Sequence, residues 1–505
     1  MYWDFLLHRG YMVRFEFLFV PAKISDFPQC RTHATTGVSP EYGDHEFVWQ
    51  TNFGPIYRLK GCFGEDSLMI SDPVALQYIV NSSHFEHGPL LVNVIDMLFG
   101  KKSLVAAKGD AHRRLRAAMN PGFSAAAVRN YQPVLLRAAQ QLSEKLEESY
   151  TKAPTSLVSI CPLLGNATFS AVVQAGFGCS TQDLGDKFVA NNAQIVALSS
   201  SQSAPRTFAI GACLPNWIWR TMIHAPLATF KEIRTAKYLT HQLGKKIVDG
   251  KMDLARQGLE IDTDVFGILL DQYLGGKTKH ALSPKEVAAQ FSALVYPGQD
   301  PTANTIAFGL LELAKDSEFQ ETLRAEIQSS IAASYDSMPL LNAFIKEVLR
   351  LYPAAAMIQR IAIEDTAIPL SDSIEIANGE LITQIPVAKG QVLTLGVASF
   401  QRLERYWGED AQKFRPTRWL DRTITPHGSA LGPYANLLSF LGGPRVCLGW
   451  RFAILEMQVF FLELISKFSF ALSEDDFVRM RFSGALIPVL PNGSEKAAPM
   501  FITPI

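Results

Sequence analysis

Cys447 stands in the run Phe440-Leu441-Gly442-Gly443-Pro444-Arg445-Val446-Cys447-Leu448-Gly449, directly ahead of the amphipathic stretch Trp450 to Phe468. At such a place, backbone amides and the positive end of a helix dipole favour a thiolate over a thiol. The flanking glycines let the main chain approach a large flat cofactor closely. Arg445 can offer an acidic group its planar two-pronged guanidinium. The chemistry this suggests is a single sulfur ligand to a cofactor-borne metal. A lone cysteine in a loop is, however, more often simply buried.

Other chemistry-bearing residues are ambiguous when taken singly. Glu347 and Arg350 lie one helical turn apart, a spacing that on a surface makes only a weak ion pair. Gly109 to Arg116 (GDAHRRLR) reads as a solvated basic helix face. In Pro297-Gly298-Gln299-Asp300-Pro301-Thr302, proline at 301 brings neither an amide hydrogen nor a hydroxyl.

The elements that must position these groups are mostly helical. The chain has 505 residues, 48% hydrophobic and 19% charged, which suits a deep core and an enclosed pocket. Lys plus Arg (47) nearly balances Asp plus Glu (48), and with no long basic tract nucleic acid is a poor partner. The six cysteines are scattered without a CxxC pair and read as reduced thiols of the cytosol. Residues 1–50 read as an irregular lead-in and 51–505 as one large domain, or two closely fused ones. Asp4, His8, Arg9, Arg14 and Glu16 interrupt the first twenty residues, which supply neither the ~20 apolar positions of a spanning helix nor a clean secretory signal. A soluble or peripherally bound protein is the literal reading.

Past Pro55 the pattern predicts a short hairpin and then a helix near Pro73 to Val80. Amphipathic helices are predicted over Tyr131 to Ser149, Phe230 to Gln257 and Met338 to Leu351, with a final one after Cys447. Ser283-Pro284-Lys285-Glu286 carries a capping box and should open a buried, kinked helix of about 30 residues. Residues 382–400 carry strand-like runs. The fold class is mainly α with a minor β component.

The loop fills every fixed position of F-x-x-G-x-R-x-C-x-G through Phe440, Gly443, Arg445, Cys447 and Gly449, a match that arises by chance in roughly one such chain in ten thousand. The loop resembles the haem-ligand loop of the cytochrome P-450 family. KEVLRLYP resembles that family's K helix, and Phe414-Arg415-Pro416-Thr417-Arg418-Trp419 its F-x-P-x-R-W segment. The resemblance implies a buried network of Glu347, Arg350 and Arg418. GDAHRRLR resembles the C-helix pattern W-x-x-x-R with His112 in the tryptophan position. On that likeness Arg116 and His112 contact a haem propionate, and Arg360 is another such contact. The likeness runs from about Gly54 to Phe482 and is closest to microsomal-type fungal members of secondary metabolism.

The resemblance thus implies the cytochrome P-450 fold, b-type haem (heme b, iron protoporphyrin IX) with Cys447 on the iron, and use of dioxygen with electrons from NADPH-cytochrome P-450 reductase. It implies oxidation of an apolar terpenoid, steroid-like or aromatic small molecule. In one respect the chain departs from the pattern, since Pro301 replaces the threonine of the oxygen site. Asp300, Thr302 or water would then serve as substitute proton relay; the alternatives are dehydratase, isomerase or peroxygenase chemistry, or a non-catalytic haem protein. Val295, Tyr296, Gln299, the segment after Pro353 and the segment before Trp217 are expected to line the pocket. The stretch Ala212 to Phe230, with Trp217, Trp219 and Arg220, suits a membrane surface or ordinary core packing equally. The expected location is the cytosolic face of the endoplasmic reticulum membrane, although no anchor helix is evident.

Overall fold

The computed structural model of the chain describes residues 41–60, 66–201, 216–276, 279–329, 334–376, 379–421, 424, 430–473, 478–491 and 495–505. Its core is built around the helix Phe291–Lys315, in which every residue from Thr302 to Leu313 is buried because the sequence there is mostly apolar. Helix Ile160–Phe177 lies along it. Gly298 permits that approach, since a β-carbon there would come within 2.9 Å of Val172. On another side Phe461 and Phe344 meet edge to face at 4.9 Å and close over Gly309. The helix Ile160–Phe177 is long and apolar enough to cross a membrane, yet most of it is buried against these neighbours.

The predicted continuous helix from Ser283 is corrected. The capping box at Ser283 and Glu286 forms, but it opens a short helix, Pro284–Ala288. The chain then turns at Ala289 and Gln290 before the central helix begins. Gln290 is fully buried and explains the break: its amide donates to the carbonyls of Lys102 (3.0 Å) and Glu286 (3.1 Å) and accepts from the Leu104 amide at 2.8 Å. Satisfying those loop groups outweighs one more helical turn. Pro297 and Pro301 both sit inside the central helix without ending it. Each removes one amide hydrogen, freeing a carbonyl four residues earlier.

The irregular lead-in is also corrected at its end. Residues Glu46–Phe53 form a helix, anchored by buried Trp49 and by the Tyr57 hydroxyl donating to the Glu46 carbonyl. Residues 1–40 lie outside the described residues, as do Cys30, Cys62 and Cys213. The other cysteines, Cys161, Cys179 and Cys447, are free thiols.

The hairpin past Pro55 is present as Ile56–Lys60 against Asp66–Ile70. It extends into a five-stranded sheet in which Asp66–Ile70 pairs in parallel with Val392–Gly396, which pairs antiparallel with Met357–Ala362, and that strand with Phe85–His87. Residues 382–400 yield two strands, but their end, Val397–Phe400, is a helical turn. Asp72 caps the helix Pro73–Asn81 by accepting from the Ala75 amide at 2.9 Å. Helices Gln132–Lys152, Ala228–Arg256, Pro339–Leu351 and Trp450–Lys467 match their amphipathic patterns closely.

Candidate functional site

A cavity of about 420 Å³ lies between the central helix, the cysteine loop and the helices Gly109–Met119 and Trp450–Lys467. The cysteine loop is shaped by its glycines. Gly443 has φ of +63°, and a β-carbon there would press within 2.1 Å of the Val80 carbonyl oxygen. The loop then folds back so that the Cys447 amide donates to the Phe440 carbonyl at 2.8 Å. Protein surrounds Cys447, while its open surface faces the cavity. Burial pushes its thiol up, and the Gly449 amide and the Arg116 charge oppose that shift. A thiol poised in this way deprotonates when a metal takes the sulfur.

The structure brings Phe440, Arg445, Cys447, Gly449, Arg116 and His112 together on this one cavity. Gly443 shapes the loop from behind. Arg116 donates to the carbonyls of Val446 and Cys447, and Arg445 to that of Ala107 at 2.7 Å. Neither guanidinium is tied to a carboxylate by those bonds, so both keep donors for an anionic group in the cavity. Arg360 is placed differently: it is buried on the strand Met357–Ala362 and is not among the cavity-lining residues. It stands behind His87, its cross-strand partner, with Nη1 of Arg360 3.3 Å from Nδ1 of His87. His87 does line the cavity. Sequence reasoning missed it because a single histidine on a three-residue strand carries no local signal; only the cross-strand register reveals it.

Both imidazoles are held neutral. Burial, then the charges of Arg360, Arg445, His112 and Lys108, push His87 down to about 3. Burial, then Arg445 and Arg116, push His112 down to about 4. Unfolded chains bind these protons near 6.5, whereas the folded chain does so only well below that. The cofactor-free protein is therefore expected to lose stability as pH falls from 6.5 toward 4, and anionic groups bound beside the rings should lessen the loss. Denaturant midpoints at pH 7 and pH 5, with and without cofactor, check this; equal midpoints for the cofactor-free form would show that the rings are not held neutral.

The residues fit a haem. Among the described residues no group of three or more His, Cys, Asp or Glu could hold a metal alone. A metal would therefore arrive with its own ligands and take one sulfur. The cavity supplies that sulfur and cationic groups suited to propionates. It also supplies apolar walls from Val172, Ala175, Val265, Phe452 and Met457 that suit a porphyrin's carbon edge.

Pocket-lining expectations on the central helix shift by one face. Ala293, Leu294, Pro297, Gly298, Pro301, Thr302 and Thr305 line the cavity, following the three-to-four spacing of one helix face. Val295, Tyr296 and Gln299 do not: Val295 and Tyr296 are packed in the core, and Gln299 exchanges two hydrogen bonds with the buried Asn192 amide. Asp300 also leaves the cavity. Its carboxylate pairs with Lys496 at 2.5 Å, so the helix turns this acid toward the C-terminal segment. Of the segment after Pro353, Ala354 and Ala355 line the cavity, joined by Gly484 and Ala485. Residues 202–215, before Trp217, lie outside the described residues. Trp217 is 68% exposed and Trp219 buried, so this stretch divides between surface and packing.

Behind the cysteine loop lies the ionic network. Glu347, Arg350 and Arg418 have no solvent exposure. Glu347 Oε1 accepts from Arg350 at 2.8 Å, Arg418 at 2.9 Å and the Arg415 amide at 2.9 Å, and its Oε2 from Trp419 at 3.0 Å. Burial alone would raise the Glu347 carboxyl, but the hydrogen bond and charge of Arg350, and then Arg418, hold it below the usual carboxylate value. Arg350 also donates to the Gln401 carbonyl (2.8 Å), and the Gln401 side chain accepts from the Leu438 amide (2.9 Å), next to the cysteine loop. The network is thus linked through Gln401 to Leu438, two residues before the cysteine loop begins at Phe440.

Comparison with known proteins agrees with this geometry. The family model described as Cytochrome P-450 matches residues 41–494. The chain is similar to Cytochrome P-450 monooxygenase 219 of Postia placenta, with 30% identity over 458 residues that cover 84% of this chain and 82% of that protein. Cytochrome P-450 monooxygenase 212 of the same organism is 30% identical over 484 residues, covering 90% and 88%. Cytochrome P-450 monooxygenase claP of Ampulloclitocybe clavipes is 27% identical over 439 residues, covering 84% and 80%.

Proposed function

Because the chain belongs to the cytochrome P-450 family and is a haem-thiolate monooxygenase, we propose that it oxidises an uncharged, apolar small molecule of secondary metabolism, of terpenoid, steroid-like or aromatic type. The observation that carries this reading is the cavity wall. Among the described residues that form it there is no Asp or Glu, and its cations cluster where the haem carboxylates would sit. Leu104, Val105, Ala293, Leu294, Ala354, Ala355 and Ala485 give a substrate a mostly apolar and uncharged surface to meet.

Bound haem supplies reductive activation of dioxygen. The chain does the rest. Cys447 would hold the iron through its sulfur, Arg116 and Arg445 with the two neutral imidazoles would bind the cofactor's acidic groups, and the apolar walls exclude water from the reacting region. We further assign NADPH-cytochrome P-450 reductase as electron donor, and peripheral contact with the cytosolic face of the endoplasmic reticulum membrane through the exposed Trp217. That the relatives are described as monooxygenases favours oxygenation over the dehydratase, isomerase and non-catalytic alternatives that Pro301 left open.

The test is a panel of terpenoid, steroid and aromatic compounds, offered to the holoprotein with reductase, NADPH and isotopically labelled dioxygen. Apolar members are expected to shift the haem absorption and to gain one labelled oxygen atom. Binding confined to charged ligands, or products without labelled oxygen, would overturn the proposal.

A further inference from the structure

Three observations on the central helix stand together. Pro301 faces the cavity without a hydroxyl, Asp300 is turned away and held by Lys496, and Thr302 is on the cavity wall. Glu456 neighbours Thr302 from the helix Trp450–Lys467, where it sits between the cavity-lining residues Ala453 and Met457. Glu456 has no solvent exposure, and neither carboxyl oxygen has a hydrogen-bond partner at ordinary distance. A buried carboxylate without a cation is costly, so such a group stays neutral and keeps its proton. Burial indeed drives its carboxyl well above the usual value, opposed by the neighbouring Thr302 hydroxyl. Glu347, by contrast, is equally buried but surrounded by guanidiniums, and is held charged.

We propose that Glu456, acting through the Thr302 hydroxyl, is the proton donor to the cavity and replaces the relay that Pro301 removes. The proposal rests on the monooxygenase reading and adds to it a named acid that the sequence motifs did not single out. Thr302 gives its hydroxyl proton to an acceptor in the cavity and takes the carboxyl proton of Glu456 in the same transfer. The carboxylate left behind is reprotonated from solvent before the next cycle. Only O–H bonds form and break, and no electrons move in the step. Asp300 plays no part in it, since its charge is already spent on Lys496.

Two measurements on the haem-loaded protein test this. In infrared difference spectra recorded on photolysis of carbon monoxide, the wild type should show the C=O band of a protonated carboxyl. That band should vanish in Glu456→Gln and shift in Thr302→Val, which leaves the acid in place but removes its hydroxyl partner. With reductase, NADPH and air, Glu456→Gln and Thr302→Val should each lower NADPH consumption by about a hundredfold, the scale of a lost general acid. Asp300→Asn, which can still hydrogen-bond Lys496, should keep the wild-type rate. An unchanged Soret band and haem content show that each variant is folded. Absence of the band, its persistence in Glu456→Gln, or an equal loss of rate in Asp300→Asn would overturn the proposal. If even the wild type consumed no NADPH, the monooxygenase reading would fall, while the infrared band would still decide whether Glu456 is a neutral acid.

Discussion

Cys447→Ala is expected to abolish the thiolate-type absorption of the reduced, carbonyl-bound protein and with it all reductase-driven turnover. The loop around Cys447 is shaped by main-chain contacts, the 2.8 Å bond to the Phe440 carbonyl and the close approach of Gly443 to Val80. Those contacts survive the substitution, so the loop should keep its path while losing the one atom that faces the cavity as a metal ligand. Arg116 and Arg445 have no lone pair to offer a metal, and His87 and His112 stand among these guanidiniums rather than in the cysteine loop. Without the Cys447 sulfur a haem would keep only the cationic groups and apolar walls of the cavity, and its content should fall even where the apoprotein remains folded. Absorption spectra and haem content per chain measure both effects. Full occupancy with an unaltered Soret band in the variant would remove the basis of the functional reading.

The second large effect is expected at Glu347. Its two guanidinium partners are fully buried, and Glu347→Gln would leave Arg350 without a carboxylate and Arg418 with only that of Asp410. Removing one partner of a buried ionic group costs roughly 3–5 kcal/mol, because the remaining charge is stranded away from water. Against a total stability of about 5–15 kcal/mol, that is enough to cut the folded population sharply. The damage should reach the haem as well, since Arg350 ties to Gln401 and Gln401 to Leu438 beside the cysteine loop. A large drop in the denaturant midpoint is therefore expected together with weaker haem retention. A midpoint within experimental error of the wild type would show that this network contributes little. Because the Glu347 carboxyl is held below its usual value, its contribution is full above about pH 4.5 and is lost as pH falls through the lower folded value.

The sequence and the structure divide the description of this site in a consistent way. The cysteine loop was legible because its requirements are local: a sulfur, glycines at fixed offsets and an arginine must stand within ten residues for the backbone to turn as it does. Glu347, Arg350 and Arg418 were legible only by resemblance, since nothing in their spacing says that they meet at 2.8 and 2.9 Å without solvent. The amphipathic helices were legible because burial of one face imposes a three-to-four period.

What lay beyond the sequence were contacts between distant elements. Residues Val295, Tyr296, Gln299 and Asp300 belong to the expected stretch but not to the cavity face. Which face of the central helix meets the cavity depends on how the helices Ile160–Phe177 and Trp450–Lys467 pack against it. Gln290 ended one helix by serving a carbonyl and an amide of a loop almost two hundred residues earlier. His87 entered the site through the register of two strands, and Glu456 through its place behind Thr302. By itself the sequence determined which atoms can ligate, donate and pack, because those are properties of residue types at short spacing. Only the tertiary structure decided whether each acid or imidazole is charged, and which of them faces the cavity. Both depend on partners and burial brought together from opposite parts of the chain.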